Sequence, residues 1–312
     1  MRRFCMVAAA LLGTACDIGY DFKGGTPEPQ VVVNALISPQ DGFSIDICRS
    51  GVYNDEYPQF KAIGGAVVRL FEDGREVLSF TTIDPSDEDI LYAAPSPPES
   101  YPGKAGCRYR VEVDIPDYGR VAAETCIPAT PEAELNFSKN AGRYRHFELS
   151  KLETGAGTSA VWIRGFRKNS YGGGEYGGSE HTEKHYEYYT SSPFVDSVNG
   201  VNDAYEAGDK GAAVDYEQFL RIPADNFEKA VPLCFSVYGN NVYAGENYEH
   251  TFCVFAASDE YDRYFRSLYK YSINSGSLAE ENPFIEQISV YTNVENGLGI
   301  FAGYNCLTFT GL

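Results

Sequence analysis

The sequence lacks the short motifs that mark several common enzyme and metal sites. It contains no GxSxG nucleophile elbow and no phosphate-binding P-loop, each of which holds a reacting group in a defined backbone geometry. It also contains no CxxC pair, which argues against a zinc ribbon or a thioredoxin-like redox site. We therefore predict no catalytic residue, no metal site and no cofactor, and we expect a protein that is not an enzyme.

Long apolar runs and basic residues are also scarce. After Cys16 no window approaches the roughly 18 consecutive apolar residues of a membrane-spanning helix. Lys and Arg number 25 against 44 Asp and Glu, which gives a net charge of −19. Such a surface repels phosphate backbones, so no nucleic-acid partner is expected. Hydrophobic residues make up 43% of the chain, enough to build real cores.

The first fifteen residues have the layout of a lipoprotein signal peptide. Arg2 and Arg3 precede a short apolar run, and small residues stand just before Cys16. This pattern predicts cleavage before Cys16 and lipidation of its thiol, since acyl chains hold a protein on a membrane without any spanning segment. An ordinary signal peptide cut nearby is the alternative. Residues 16–30, rich in Gly and Pro, are predicted to form a tether.

Six cysteines remain after residue 16, and an even number in an exported chain favours disulfides. Cys107 and Cys126 lie near opposite ends of one predicted hairpin, and Cys48 lies on an earlier strand. A disulfide between two of these three cysteines is expected. In the second half, a predicted hairpin places Cys234 opposite Cys253, which would suit a cross-strand disulfide. The candidate disulfide cysteines are Cys48, Cys107, Cys126, Cys234, Cys253 and Cys306.

Residues 31–130 show the pattern of a β-sandwich. Short apolar or alternating segments recur at close spacing, separated by turn sequences such as Glu72-Asp73-Gly74. The predicted strands are Val31–Ile37, Phe43–Cys48, Ala66–Phe71, Glu76–Thr82, Ile90–Ala93, Cys107–Val113 and Val121–Ile127. Seven short strands without helical periodicity favour a sandwich over other architectures.

Residues 131–312 are predicted to form a second β-rich domain with one amphipathic helix over residues 258–273. Ser258 suits the N-cap of that helix, and an aromatic stripe follows at helical spacing. Residues 169–189 are rich in Gly and Tyr and read as a surface excursion. The other predicted strands are Arg145–Leu149, Ala160–Phe166, Phe219–Ile222, Pro232–Tyr238, Tyr248–Phe255, Ile288–Asn293 and Ile300–Phe309.

Three stretches of the chain resemble a known family. They are the hairpin segment 65–74, the pair of segments 109–113 and 122–128, and above all the sequence YTNVENGLGIFAG at residues 291–303. Together they resemble the Bacteroidetes lipoproteins that carry the domain of unknown function 4249. The resemblance implies an N-terminal immunoglobulin-like or transthyretin-like sandwich. It also implies an outer-membrane setting beside a TonB-dependent transporter, and it supplies no catalytic residue.

Tyrosine is abundant, with 24 residues, and five tyrosines fall within the Gly/Tyr-rich stretch. Tyrosine gives amphipathic contact area at low entropic cost, so we expect these five to contact a partner protein or glycan. They are Tyr171, Tyr176, Tyr186, Tyr188 and Tyr189. The leading hypothesis is a non-enzymatic accessory lipoprotein. The alternatives are a carbohydrate-binding or adhesion module and a hydrolase with unrecognised carboxylates.

Replacement of Cys16 by alanine tests the lipid anchor. Because the thiol is the acylation site, Cys16→Ala should remove the acyl mass from the mature N-terminus and the chain from the outer-membrane fraction. Mass spectrometry and membrane fractionation measure both. Cys5→Ala is the matched control, since Cys5 leaves with the signal peptide. An unacylated wild-type N-terminus contradicts the prediction.

Overall fold

The fold is mainly β, as predicted. The computed structural model describes residues 28–50, 61–83, 101–141, 144–170, 181–185, 188–197, 219–238, 248–275 and 289–311. Its strands are β1 Val31–Ser38, β2 Gly42–Arg49, β3 Lys61–Ala62, β4 Val67–Glu72, β5 Arg75–Thr81, β6 Arg108–Ile115, β7 Gly119–Cys126, β8 Glu132–Ala141, β9 Tyr144–Glu153, β10 Ala160–Ser170, β11 His181–His185, β12 Tyr188–Tyr189, β13 Asp196–Ser197, β14 Leu220–Pro223, β15 Leu233–Tyr238, β16 Tyr248–Ala257 and β17 Leu298–Thr310. A 3₁₀ turn at Ala224–Asn226 leads into a short helix α1, Phe227–Ala230, and the long helix α2 spans Asp259–Ser275.

A nine-stranded sheet forms the centre of the structure. Its order is β13-β14-β10-β16-β17-β1-β2-β3, and β11 also pairs with β10. β17 lies between β16 and β1 and runs parallel to β1, from Val32 opposite Leu298 to Ile37 opposite Gly303. The large sheet therefore takes strands from both sides of residue 130, and the two predicted units share it.

Two four-stranded sheets, β5-β4-β6-β7 and β12-β15-β9-β8, pack on one face of the large sheet. On β17, Phe301 belongs to the core under the first small sheet and Phe309 packs on the core under the second. Residues eight apart on a strand lie on the same face, so both small sheets cover the same side. This layered packing follows from the alternating burial of β1 and β6.

Helix α2 covers part of the opposite face of the large sheet, where a third core is rich in aromatic side chains. The helix begins where it was predicted, because the Ser258 hydroxyl accepts a hydrogen bond from the Tyr261 amide at 3.2 Å. Asp259 and Glu260 in the first turn add favourable charge at the positive end of the helix. Tyr261 and Tyr269 then pack against Trp162 of β10.

A buried carboxylate fixes the start of α2 to the sheet. Asp262 accepts hydrogen bonds from Arg221 Nε at 2.6 Å, from Arg221 Nη2 at 2.7 Å and from Trp162 Nε1 at 2.9 Å. Arg221 and Asp262 are 4% and 5% exposed, and Asp196 of β13 also pairs with Arg221. A bidentate pair of this kind fixes geometry as well as charge.

A hydroxyl group joins the first small sheet to α2 and β17. Thr125 Oγ1 on β7 donates to Glu260 Oε2 at 2.9 Å and accepts from the Gly303 amide, also at 2.9 Å. Thr125 is buried, so the bond from the Gly303 amide in particular is shielded from water and is costly to break. The three elements are thus held in one fixed arrangement.

The predicted hairpin 232–238 with 248–255 is wrong. Its two strands form, but β15 pairs with β9 and β12, whereas β16 pairs with β10 and β17. On β16, Phe252 lies in one core and Phe255 in another, so this strand needs cover on both faces and lies inside the large sheet. On β15, Phe235 is buried while Cys234 is exposed, which suits an outer sheet.

The predicted strand 288–293 is also wrong over residues 289–293, which form no ladder. The side chain of Asn293 instead supplies the hydrogen bonds that a neighbouring strand would make to Phe301 of β17. Its Nδ2 donates to the Phe301 carbonyl at 2.8 Å, and its Oδ1 accepts from the Phe301 amide at 2.9 Å. The backbone of β17 is thereby satisfied by a side chain. The predicted strand 90–93 lies outside the described residues.

The six candidate disulfide cysteines are all free thiols in the structure. Cys234 lies opposite Glu148, and Cys253 lies between Arg164 and Thr308, so the expected cross-strand pair does not form. Cys107 precedes β6 and packs on the first core, whereas Cys126 pairs with Arg108, one position away in register. A one-residue offset puts side chains on opposite faces of a sheet, so these two thiols point apart.

Loss of the Asp262 carboxylate should strongly destabilise the fold. Asp262→Ala leaves the Arg221 guanidinium buried without its main partner, and we expect a loss of about 3–5 kcal/mol in unfolding free energy. Urea unfolding followed by the fluorescence of Trp162, the single tryptophan, measures it. The control is Asp259→Ala, which removes an exposed pair with Arg263 worth less than about 1 kcal/mol. Equal losses in the two variants would refute the role of the buried pair.

Candidate functional site

A cleft of about 670 Å³ lies between α2 and the first strands of the large sheet. It is on the same face as the aromatic core and continues beyond it over β1 and β2. Its described lining comprises Val32, Asn34, Asp46, Ile47, Cys48, Ser50, Ala62, Tyr264, Leu268, Tyr271, Ser289, Val290, Tyr291, Thr292, Leu298 and Gly299. Cavities of this size and composition are typical of small-molecule sites.

The floor of the cleft comes from alternate positions of β1 and β2. Asn34 lies directly opposite Asp46, and Val32 lies opposite Cys48. Directly opposed residues of an antiparallel pair share a face, with their Cβ atoms about 5 Å apart. The intervening residue Val33 points into the first core on the other side. The alternation of strand β1 therefore separates core residues from cleft residues.

The wall facing the floor comes from α2 and the segment 289–292. The two are joined through Ser267, whose hydroxyl accepts from the Tyr291 amide at 2.8 Å and donates to the Tyr264 carbonyl at 2.8 Å. The Arg263 guanidinium lies 4.1 Å from the centre of the Tyr291 ring, a cation–π contact. Tyr264 and Tyr291 are thus held in place by neighbours on the helix.

Two glycines allow β17 to approach β1 closely at the edge of the cleft. A Cβ on Gly299 would lie 2.1 Å from the Val33 carbonyl oxygen and 2.9 Å from Asn34 Oδ1, and its φ is +101°. A Cβ on Gly297 would lie 3.1 Å from the Val31 carbonyl oxygen. At Gly299 only glycine fits without displacing β1, whereas at Gly297 a Cβ would require the neighbouring atoms to move by a few tenths of an ångström. Both belong to the segment 291–303 on which the family resemblance depends.

Two polar groups in the cleft have perturbed environments. Asn34 Oδ1 is buried and has no hydrogen-bond partner among the described residues, and a buried acceptor without a donor costs free energy. Partial burial raises the pKa of the Asp46 carboxyl, although the residue remains exposed on one side. Burial, and secondarily the charge of Asp46, raise the pKa of the Cys48 thiol to about 11. Cys48 is therefore protonated at neutral pH and behaves as a small apolar side chain.

A pair of neighbouring thiols, Cys253 and Cys306, lies on the helix-covered face of the large sheet. Cys253 Sγ and Cys306 Sγ are 3.7 Å and 3.6 Å from the Thr308 hydroxyl oxygen. The hydrogen bond with Cys306 is the main cause that lowers the pKa of Cys253, to about 7, and it raises that of Cys306. These two thiols were predicted as disulfide candidates but with other partners.

The predicted partner-contact tyrosines are not brought together at the cleft. Tyr171, Tyr176 and Tyr186 lie outside the described residues, as does Cys16. Tyr188 is 4% exposed in the core under the second small sheet, which contradicts the expectation that it projects from a surface excursion. Tyr189 is half-buried against Tyr144, with ring centres 5.3 Å apart. Both are held there because β12 pairs with β15.

The cleft residues themselves were missed by the reasoning from sequence. A signal was present, because Asn34 interrupts the apolar run VVVNALI with one polar residue. The cleft also takes Tyr291, Leu298 and Gly299 from the segment 291–303, which was noted for its resemblance alone. In the part of the chain that the structure describes, no helix has the length and apolarity needed to cross a bilayer.

Substitution of Gly299 should destabilise the pairing of β1 with β17. Gly299→Ala adds both left-handed strain, about 1–3 kcal/mol, and a collision with the Val33 carbonyl. The matched control is Gly119→Ala, where φ is +88° and no atom lies within 4 Å of the new Cβ. The urea midpoint should fall further for Gly299→Ala than for Gly119→Ala. Equal shifts would show that close approach of the strands is unimportant.

Comparison with known proteins identifies the family but no activity. A search of curated proteins finds no match. The family model described as domain of unknown function, DUF4249, matches residues 17–310. That match covers all but the first sixteen and the last two residues, and includes every element that builds the cleft. The chain belongs to the DUF4249 family.

Proposed function

We propose that this protein is a non-enzymatic accessory lipoprotein of the outer membrane that binds a ligand beside a TonB-dependent transporter. The observation that carries the proposal is the cleft between α2 and β1/β2. Its volume of about 670 Å³ and its largely apolar lining suit the binding of a small molecule. Binding, rather than chemistry on the ligand, is the function that this lining supports best.

The construction of the cleft supports a role that belongs to the family. One wall and one edge come from residues 291–299, inside the segment 291–303 that carries the resemblance. Asn293 fixes that segment to β17 and also donates to the Glu124 carbonyl at 2.9 Å. The segment is therefore braced from two sheets. Bracing of this kind holds a binding site in one geometry before the ligand arrives.

The anchor is supported by the sequence. The family match starts at residue 17, directly after the predicted lipid-bearing Cys16. Residues 17–30 separate that position from β1, which starts at Val31. A tether of this length allows the folded part to stand off the membrane surface and meet a partner there.

The alternative of a carbohydrate-binding module is favoured by one observation. Tyr271 is 48% exposed and lines the cleft together with Tyr264 and Tyr291. Exposed aromatic rings are platforms for flat apolar faces such as those of sugars. The hydrolase alternative needs two carboxylates at the reacting bond, whereas Asp46 is the one carboxylate in the described lining.

Affinity capture tests the proposed partner. A tagged wild-type chain, crosslinked in intact cells and purified from outer membranes, should recover a TonB-dependent transporter identified by mass spectrometry. Cys16→Ala should lose that transporter because it leaves the membrane. A tagged lipoprotein of unrelated fold, expressed at the same level, is the control. Recovery of the wild-type chain without a transporter, or equal recovery by the control, overturns the proposal.

A further inference from the structure

We propose that the ligand of the cleft is a small organic ammonium ion, an amine attached to an apolar ring or short alkyl body. The inference rests on the proposed function, since it names the ligand class for the same cleft. It is carried by two acceptor side chains, Asn34 and Asp46, that face each other across the strand pair β1–β2.

The apolar part of the ligand is set by the walls. Val32, Leu268, Val290 and Leu298 line the cleft, and Leu298 is 38% exposed. Burial of apolar ligand surface against such side chains is favourable by about 25 cal/mol per Å². A ligand without an apolar body would leave these walls in water and gain none of this free energy.

The polar end of the ligand is set by Asn34 and Asp46. Asn34 Oδ1 is a buried acceptor without a hydrogen-bond donor among the described residues. Asp46 forms no ion pair with any residue in the described ranges. An ammonium group carries up to three N–H donors and one positive charge. It can therefore pair with the Asp46 carboxylate, and it can also donate to Asn34 Oδ1 once that amide rotates toward the cleft.

The charges around the cleft disfavour an anion. The described lining contains no Lys, Arg or His. Arg263 contacts the lining through Tyr291, on which it stacks, and it also pairs with Asp259 at 3.3 Å. A carboxylate ligand would face Asp46 with no neutralising partner in the described lining, so the two negative charges would repel each other. The net charge of the chain, −19, also attracts cations and repels anions.

Aromatic rings give the ammonium ion a second source of binding. Tyr264, Tyr271 and Tyr291 all line the cleft, and ring faces attract cations within about 6 Å. The Arg263 guanidinium already uses Tyr291 in this way. Tyr264 and Tyr271 are the rings proposed to contact the ligand.

Calorimetric titration with three probes of similar shape tests the inference. The probes are phenethylammonium, 2-phenylethanol and phenylacetate, added to the full lipidated chain in zwitterionic lipid nanodiscs, with empty nanodiscs as the blank. Phenethylammonium should bind about tenfold or more tightly than either other probe. Asp46→Asn should weaken phenethylammonium by about tenfold and leave 2-phenylethanol unchanged. Asp225→Asn, an exposed acid on the 3₁₀ turn, is the matched control and should change neither.

The outcomes separate the ligand class from the cleft itself. Binding of phenylacetate as tightly as phenethylammonium, or an unchanged ammonium affinity in Asp46→Asn, overturns the ammonium assignment while the cleft stands as a binding site. Failure of all three probes to bind overturns the cleft as a small-molecule site, and with it the proposed function. Unchanged thermal unfolding of Asp46→Asn shows that a loss of affinity does not come from misfolding.

Discussion

The buried carboxylate of Asp262 fixes the arrangement on which the cleft depends. It receives the indole of Trp162 from β10 and two nitrogens of Arg221 from β14, and so attaches the first turn of α2 to two strands of the large sheet. The helix axis cannot shift over the sheet without breaking these bonds in a medium where they are strong. Tyr264 and Leu268 lie farther along the same helix and form part of the cleft wall. The bonds of Asp262 in the first turn therefore also fix the position of that wall.

The opposite side of the cleft is determined by backbone rather than by side chains. Gly299 lets β17 lie against β1 where any side chain would collide with the Val33 carbonyl oxygen, and Gly297 allows a close approach to the Val31 carbonyl oxygen. Asn293 replaces a missing strand partner for Phe301. The segment 289–293 can therefore run beside the helix instead of joining the sheet. The segment 291–303, on which the family resemblance depends, thus has a structural role at the edge of the cleft.

The local elements were predictable because their signals are local. The Asp73-Gly74 turn, with φ of 47° and 83°, closes the expected hairpin, and Ser258 caps the expected helix. Pairings between distant strands were not predictable from spacing. β15 and β16 are neighbours in sequence, yet they belong to different sheets. β15 is buried on one face and lies in an outer sheet, whereas β16 is buried on both faces and lies inside the large sheet. The expected Cys234–Cys253 pair failed for the same reason, since it depended on a pairing of β15 with β16.

The pairing of β1 with β17 joins the first strand of the described chain to the last. A ladder between residues so far apart has a high contact order, and closing the intervening loop costs entropy before any contact repays it. β1 can therefore pair with β2 early, but its pairing with β17 forms only after residues 298–303 have been synthesised. A chain that stops short of residue 298 would leave Val32–Ile37 as an unpaired, apolar edge, which is a template for aggregation with other unfinished copies.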